Sequence, residues 1–149
     1  MILLDTNVVS EIMKRHPDPH VASFIDAQPI GRLFVPSLVM AELRHGIARL
    51  PDGRRRAGIE SDFEAFCSVG FASRILSFDD SCASGYARAR GAREQAGRPV
   101  AVLDALIGGM ALAHGATLAT RNIVDFDGYG LALVDPLSLI HISEPTRPY

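Results

Sequence analysis

The chain has 149 residues, the length of one ordinary domain with a single core. Hydrophobic residues make up 48% of it and charged residues 21%, a composition that excludes a disordered protein. The formal net charge of −2 gives no global attraction for nucleic acid, so any basic surface must be local. Two cysteines argue against a disulfide scaffold and favour the cytoplasm. No apolar run reaches the roughly 20 residues that a membrane-spanning helix needs.

Short apolar runs alternate with segments of helical periodicity in the first half of the chain. In chain order they predict a strand at 2–5, helices at 7–14 and 17–28, a strand at 32–36, and helices at 38–50 and 56–69. Ser37 is expected to cap the third of these helices. The segment "FEAFCSVGF" (63–71) holds three phenylalanines, more than one small core needs, and we expect it to offer apolar surface to a second copy of the chain.

The second half continues the alternation. It predicts a strand at 74–78, a helix begun by an Asp and ended by Gly97, a helix at 101–115, and strands at 116–120 and 131–134. Strands and helices that alternate at this spacing indicate a parallel sheet covered by helices on both faces. We place the domain at 1–136. The segment 137–149 fits nothing before it, so we interpret it as a non-native or disordered tail and give its His141 no role.

Three acidic residues stand where a cleft would need them. Asp5 ends the first apolar run, and in an open parallel sheet ligands bind beyond the carboxyl ends of the strands. A turn or helix cap is an equally ordinary role for an isolated Asp at this place. Glu42 flanks the apolar stripe of the third helix, and Asp104 lies near the start of an otherwise apolar helix. Gly108 and Gly109 each cost ~1 kcal/mol in that helix, which predicts a close backbone approach beside the carboxylate.

Polar residues also follow the fourth strand, in "ATRNIVDFDG". Thr120, Arg121 and Asn122 come at its carboxyl end, on the same edge of the sheet as Asp5, and Asp125 follows in the loop. Carboxylates crowded at one edge repel each other unless they are protonated or bind a cation. Oxygen ligands of this kind suit Mg²⁺ or Mn²⁺, whereas the histidines show no spacing typical of a zinc site.

Four segments in this order and spacing resemble the PIN-domain ribonucleases, and among them the VapC-type toxins of the FitB-like branch: "LLDTNVVSE", "SLVMAELRHG", "VLDALIGGMALAHG" and "LATRNIVDF". The resemblance implies an α/β fold, a PIN-like three-layer α/β/α sandwich with a central parallel sheet of about five strands. It also implies a cytoplasmic endoribonuclease that depends on Mg²⁺ or Mn²⁺, forms a homodimer and is neutralised by a small VapB-like antitoxin.

The resemblance also assigns site residues. Asp5, Glu42 and Asp104 fall on the family's acidic, metal-binding positions and are the expected catalytic residues. Asn122, also an expected catalytic residue, stands where the family often has a fourth acidic residue, and Asp125 is a candidate metal ligand in its place. The residues expected to bind the RNA substrate are the arginine nearest the cleft by motif and one on the flanking helix, Arg121 and Arg49.

Two other classes of protein are excluded because the sequence lacks residues that they need. A two-component receiver domain needs a Lys after its fifth strand, but the chain's one lysine is Lys14, in the first helix. A P-loop NTPase needs G-x-x-x-x-G-K-[ST], which the sequence lacks. A PIN fold without catalysis, which binds RNA or a partner, stays open because Asn122 replaces a charged residue.

Overall fold

The computed structural model describes residues 1–137 and 140–143, which fold around one mainly parallel sheet. Its strands are β1 (Ile2–Leu4), β2 (Leu33–Pro36), β3 (Ile75–Leu76), β4 (Thr117–Ala119), β5 (Ala132–Asp135) and β6 (Ile140–Ser143). They lie in the order β3-β2-β1-β4-β5-β6. The first five strands pair in parallel and β6 pairs antiparallel to β5. The predicted parallel sheet of about five strands is therefore confirmed.

Helices connect the strands in the pattern that the sequence predicts. They are α1 (Thr6–Ile12), α2 (Pro19–Asp26), α3 (Ser37–Ala48), α4 (Arg54–Ala65), α5 (Asp80–Gln95), α6 (Val102–His114) and α7 (Ile123–Phe126). A 3₁₀ turn at Ile30–Arg32 precedes β2, and a π-helical turn at Phe66–Gly70 continues α4. Among these described residues, no helix combines the length and apolarity that crossing a bilayer requires.

Helix boundaries differ from the prediction at a few places. Ser37 is the first residue of α3 rather than its cap, because Pro36 occupies the capping position and makes no side-chain hydrogen bond there. Helix α4 begins two residues early, at Arg54, directly after Gly53 (φ 151°). The four-residue α7 was not predicted, since one helical turn carries no periodicity to detect.

Two glycine positions explain how α5 and α6 pack. A Cβ on Gly109 would lie 2.4 Å from the backbone N of Tyr86, and one on Gly85 would lie 2.1 Å from the carbonyl O of Gly109. The predicted close approach is therefore real, but it brings two helix backbones together rather than forming a cleft wall beside Asp104. Gly108 meets the side chains of Tyr129 and Leu131.

The phenylalanines of segment 63–71 belong to the core of the single chain. Phe63 and Phe71 are buried, and Phe66 packs on Phe71 with ring centroids 4.7 Å apart. These side chains are therefore not spare surface, and the argument for a dimer from them does not hold. In the segment interpreted as a tail, residues 138–139 and 144–149 lie outside the described part, and the domain boundary at 136 stays a prediction.

The sheet order places a crevice next to β1. This strand pairs with β2 on one side and with β4 on the other, because the chain runs outward from β1 to β2 and β3 and then crosses back to β4. In parallel sheets such a switch point opens a crevice at the carboxyl ends of the strands. Asp5 follows β1 and Thr120 follows β4, and the backbone N–H of Asp5 donates to the carbonyl of Ala119 at 3.0 Å. Both side chains therefore start from the same edge.

Candidate functional site

Asp5 is held by hydrogen bonds that leave it at the mouth of this crevice. It occupies the capping position of α1, yet its carboxylate makes no capping hydrogen bond. Its Oδ2 instead accepts from the Thr120 hydroxyl at 2.8 Å and from the Asn7 side-chain amide at 3.2 Å. The side chain is only 5% exposed. A plain helix cap is thus excluded, and the carboxylate is oriented by residues at the ends of two neighbouring strands.

Glu42 reaches the same place from α3. Its Oε1 accepts a 2.9 Å hydrogen bond from the hydroxyl of Thr6, the residue after Asp5. The Asn7 side chain accepts from the backbone N–H of Arg121 at 3.1 Å, and the Asn122 N–H donates to the Thr120 hydroxyl at 3.0 Å. Hydroxyl and amide groups therefore tie the carboxylates of β1 and α3 to the turn after β4.

Asp104 completes the group from the first turn of α6. A cavity of about 430 Å³ at this edge is lined by all three predicted carboxylates and by Asn122. The remaining lining residues, on α1 and its approach and in the turn after β4, are Thr6, Asn7, Ser10, Glu11, Lys14 and Arg121. Residues far apart in the chain thus meet around one cavity.

Burial and mutual repulsion make two of these carboxylates, Asp5 and Asp104, harder to ionise. Burial raises the pKa of Asp5, the hydrogen bond from Thr120 lowers it, and the charges of Glu42 and Asp125 raise it. Burial also raises the pKa of Asp104 from 3.8 to about 6, aided by the other carboxylates and opposed by Arg93. Each negative charge in the cavity therefore makes the ionisation of its neighbour less favourable. A bound cation would remove this penalty.

Glu11 and Lys14 are site residues that sequence reasoning missed. Glu11 is buried, its Oε2 lies 2.5 Å from the Lys14 ammonium, and its Oε1 lies 4.0 Å from Arg121. The Lys14 hydrogen bond lowers the pKa of Glu11, in contrast to Asp5. The signal was present: Asn7, Ser10, Glu11 and Lys14 follow the spacing of one helix face.

Of three further predicted residues, two lie outside the lining of the cavity and one belongs to it. Asp125 is exposed in α7 and is not among the lining residues, although its charge acts on both Asp5 and Asp104. Arg49 follows the end of α3, is exposed and lines neither this cavity nor the groove beside it. Arg121 does line the cavity.

The donors around the cavity fit Mg²⁺ or Mn²⁺. They are carboxylate, amide and hydroxyl oxygens, the ligands that hard divalent cations prefer. Within residues 1–137 and 140–143, no three acidic, histidine or cysteine side chains lie close enough together to hold a metal ion by themselves. Mg²⁺ usually keeps several waters and is held through one or two carboxylates, so an open set of oxygen donors suits it.

A larger groove continues from this cavity. It has a volume of about 990 Å³, lies between α1, α3 and α4, and shares Thr6, Ser10, Lys14 and Glu42 with the cavity. Its apolar lining is Met13, Leu43, Ile47, Leu50, Ile59 and Phe63, and its basic residues beyond Lys14 are Arg15, Arg54 and Arg55. The acidic cavity is therefore one end of a long, mostly apolar groove with basic margins.

Comparison with known proteins agrees with this arrangement. The chain is 43% identical over 136 residues to the plasmid stability protein StbB of Pseudomonas syringae pv. tomato, covering 91% of this chain and 98% of that protein. It is 38% identical over 136 residues to the VapC ribonuclease Y4jK of Sinorhizobium fredii, covering 91% and 97%. It is 34% identical over 136 residues to the toxin FitB of Neisseria gonorrhoeae, covering 91% and 98%.

The fold also matches that of a solved structure. The crystal structure of FitAcB from N. gonorrhoeae matches with a TM-score of 0.86 at 34% identity, covering 93% of this chain and 100% of that chain. The PIN domain model matches residues 2–128, which include every residue that lines the acidic cavity. Because this match spans most of the chain and the relatives align along nearly their whole length, the chain belongs to the PIN-domain family.

Proposed function

We propose that this chain is an endoribonuclease toxin that depends on Mg²⁺ or Mn²⁺, acts in the cytoplasm and is neutralised by a small antitoxin. One observation carries the proposal: Asp5, Glu42 and Asp104 line one cavity at the switch point of the sheet, with two of them oriented by threonines. The relatives named as a VapC ribonuclease and as a toxin support both parts of it.

The cavity residues have different roles in the proposed reaction. Asp5, Glu42 and Asp104 would hold the ion, and Asn122 would supply a neutral amide oxygen beside them. Such an ion, when bound, lowers the pKa of a coordinated water and offsets charge on a phosphodiester oxygen. Thr120 and Thr6 keep their carboxylates in one rotamer, so the donors need little reorganisation during the reaction.

RNA must approach a chain of net charge −2 through local cations. Lys14 and Arg121 lie at the cavity itself, where their side chains are 61% and 37% exposed. Both can therefore reach a phosphate next to the scissile bond, whereas Arg49 would contact the backbone farther out. Phosphate contacts release counterions, so we expect RNA affinity to fall steeply with salt. An affinity independent of salt would contradict this.

The groove between α1, α3 and α4 suits the antitoxin. Its apolar floor would take the apolar face of a helix, and its open connection to the cavity lets a basic side chain reach the carboxylates. An Arg there would form charge-assisted hydrogen bonds and compete with the ion. Excess Mg²⁺ should then restore cleavage. Inhibition that persists after the basic residues of the inserted segment are neutralised would exclude this mechanism.

We base the proposed homodimer on a different surface from the phenylalanines of segment 63–71. Val69 is 83% exposed and Ile75, on β3, is 36% exposed. In the described sheet β3 is the edge strand, where unpaired backbone groups and apolar side chains favour pairing with another chain. Val69→Ser with Ile75→Thr should shift the chain to monomer in light scattering. A strict monomer in the unmodified chain at tens of micromolar would exclude the dimer.

One experiment separates this function from a PIN fold that only binds. Purified chain is incubated with total cellular RNA in Mg²⁺, in Mn²⁺ and in EDTA, and cleavage sites are mapped by sequencing the new ends. Discrete cuts that need the metal and disappear in Asp5→Asn support the nuclease. RNA binding without cleavage in either metal would favour the non-catalytic module.

A further inference from the structure

Arg93 is a buried cation outside the cavity that the proposed function does not use. It lies near the end of α5 and is only 6% exposed. Its Nε donates to the carbonyl of Pro99 at 2.7 Å. Its Nη1 donates to the carbonyls of Val124, Asp125 and Asp127 at 3.3, 2.8 and 2.7 Å. One guanidinium thus binds four backbone oxygens, three of them in or directly after α7.

Helix α7 needs such support. A helix of four residues cannot be stable alone, because its nucleation cost is not recovered by propagation. The last carbonyls of a helix have no partner within it, and a cation at this end is favourable. Arg93 supplies both the donors and the charge. Its guanidinium also lies 4.8 Å from the centroid of the Tyr129 ring, so packing fixes its own position.

The position of α7 determines where one polar group of the site lies. Asn122 lines the cavity and directly precedes the helix, at its capping position. A shift of α7 would therefore move Asn122 relative to the carboxylates that line the same cavity.

We propose that Arg93 is a positioning residue for the metal site: its guanidinium holds α7 so that the Asn122 side chain, at the start of the helix, keeps its place in the cavity lining. This inference rests on the proposed metal dependence but concerns a residue that touches neither metal nor RNA. A lysine would keep the positive charge but could not reach several carbonyls at once, because it lacks the planar fork of the guanidinium.

Arg93 also has a direct electrostatic effect, which the test must separate from positioning. Its charge opposes the rise in the pKa of Asp104. If Arg93 were only a counter-charge, Arg93→Lys would leave metal affinity unchanged and Arg93→Met, which removes a repelling cation, would raise it. If Arg93 positions α7, Arg93→Lys weakens binding although the charge is kept.

The experiment measures Mn²⁺ binding by titration calorimetry and hydrogen exchange of the α7 amides in the full chain. Arg93→Lys should weaken Mn²⁺ binding about tenfold, the scale found for residues that orient metal ligands, and should speed exchange at 123–127. The matched control is Arg90→Lys on the same helix, where Arg90 binds the side chains of Glu94 and Tyr86 and not α7. It should change neither measurement. In an Asn122→Ala background, Arg93→Lys should change Mn²⁺ affinity by less than about twofold.

Each contrary result has a distinct meaning. Wild-type affinity and exchange in Arg93→Lys would overturn the proposal, and so would global unfolding of this variant by circular dichroism. A tenfold loss that persists in the Asn122→Ala background would overturn the route through Asn122. If the unmodified chain binds no Mn²⁺, the proposed metal site fails, and exchange at α7 alone then decides whether Arg93 holds the helix.

Discussion

The cavity is lined by carboxylates of two kinds. Glu11, on α1, meets cations: Lys14 lies 2.5 Å from it and Arg121 lies 4.0 Å away, and the Lys14 hydrogen bond lowers its pKa. Asp5 accepts a hydrogen bond from the Thr120 hydroxyl, and burial together with the charges of other carboxylates raises the pKa of both Asp5 and Asp104. Proximity to the cavity is thus not enough to identify a metal ligand, because the two kinds line the same space.

The partners of these carboxylates distinguish a charge that is neutralised within the chain from charges that are available to bind a metal ion. The charge on Glu11 is compensated within the chain, so this residue can orient Lys14 and Arg121 toward a phosphate. The charges on Asp5 and Asp104 are not compensated by any cation in contact within the described residues, so they destabilise the metal-free site and favour a cation from solution. Substitutions that remove one charge at a time should expose this division.

The largest effect is expected for Asp5→Asn. The amide can still accept the hydrogen bond from Thr120, so the fold should survive, but the loss of charge should reduce the cleavage rate about a thousandfold. Single-turnover cleavage with excess enzyme measures it. Asp127→Asn is the control, since Asp127 pairs with Arg98 outside the cavity. Cleavage by Asp5→Asn at the wild-type rate would show that the site is wrong.

A second comparison sets Glu42→Gln against Glu11→Gln. Among the described residues, Glu42 is bonded to the Thr6 hydroxyl and pairs with no cation. Removing its charge should weaken Mn²⁺ binding about tenfold or more. Removing the compensated charge of Glu11 should leave Mn²⁺ affinity nearly unchanged and raise the KM for RNA about threefold, because its partner Lys14 is exposed and stays charged without it. Calorimetry and steady-state kinetics on both variants test this. Equal losses of Mn²⁺ affinity would remove the distinction between the two residues.

Asn122→Asp adds to the cavity lining a further carboxylate of the same kind as Asp5 and Asp104. If the ion contacts this position, Mn²⁺ affinity should stay the same or rise by a few fold, since a charged oxygen replaces a neutral one. Asn122→Ala is the matched control and should lower it. Both are measured by calorimetry at about pH 7. A lower affinity in Asn122→Asp than in Asn122→Ala would place this residue away from the ion.

The smallest effects should be on the stability of the metal-free chain. The pKa of Asp104 rises from 3.8 to about 6 on folding, so the folded chain holds this proton more tightly. Its contribution to stability is therefore full below about pH 4 and declines as the pH rises through about 6. Asp104→Asn should melt at a higher temperature than wild type at about pH 7 and at the same temperature near pH 3.

In scanning calorimetry at neutral pH, Glu11→Gln should shift the melting temperature in the opposite direction to Asp104→Asn. The pKa of Glu11 is lowered on folding, so its contribution is present at neutral pH and is lost as the pH falls through the folded pKa. The variant should therefore be less stable than wild type at neutral pH and equal to it in acid. A shift of the same sign in both variants would mean that the two carboxylates do not differ.

The sequence by itself determined the elements and the acidic residues of the site. Apolar periodicity predicted the parallel strands and the longer helices, because burial of one face imposes its period on the residues. Gly115, in the left-handed region at φ 58°, ends α6 as expected. Asp5, Glu42 and Asp104 stand out in the sequence alone, since a strand end and an isolated acid in an apolar helix are local features.

Only the tertiary structure decided which groups meet. The bond from Thr120 to Asp5 joins residues 115 positions apart, and those from Arg93 reach α7 across 31 to 34 positions. The pairing of Glu11 with Arg121 likewise needs α1 and the turn after β4 to lie side by side. No local pattern encodes such contacts, because they depend on the sheet order. Whether a carboxylate is compensated is therefore a property of the fold.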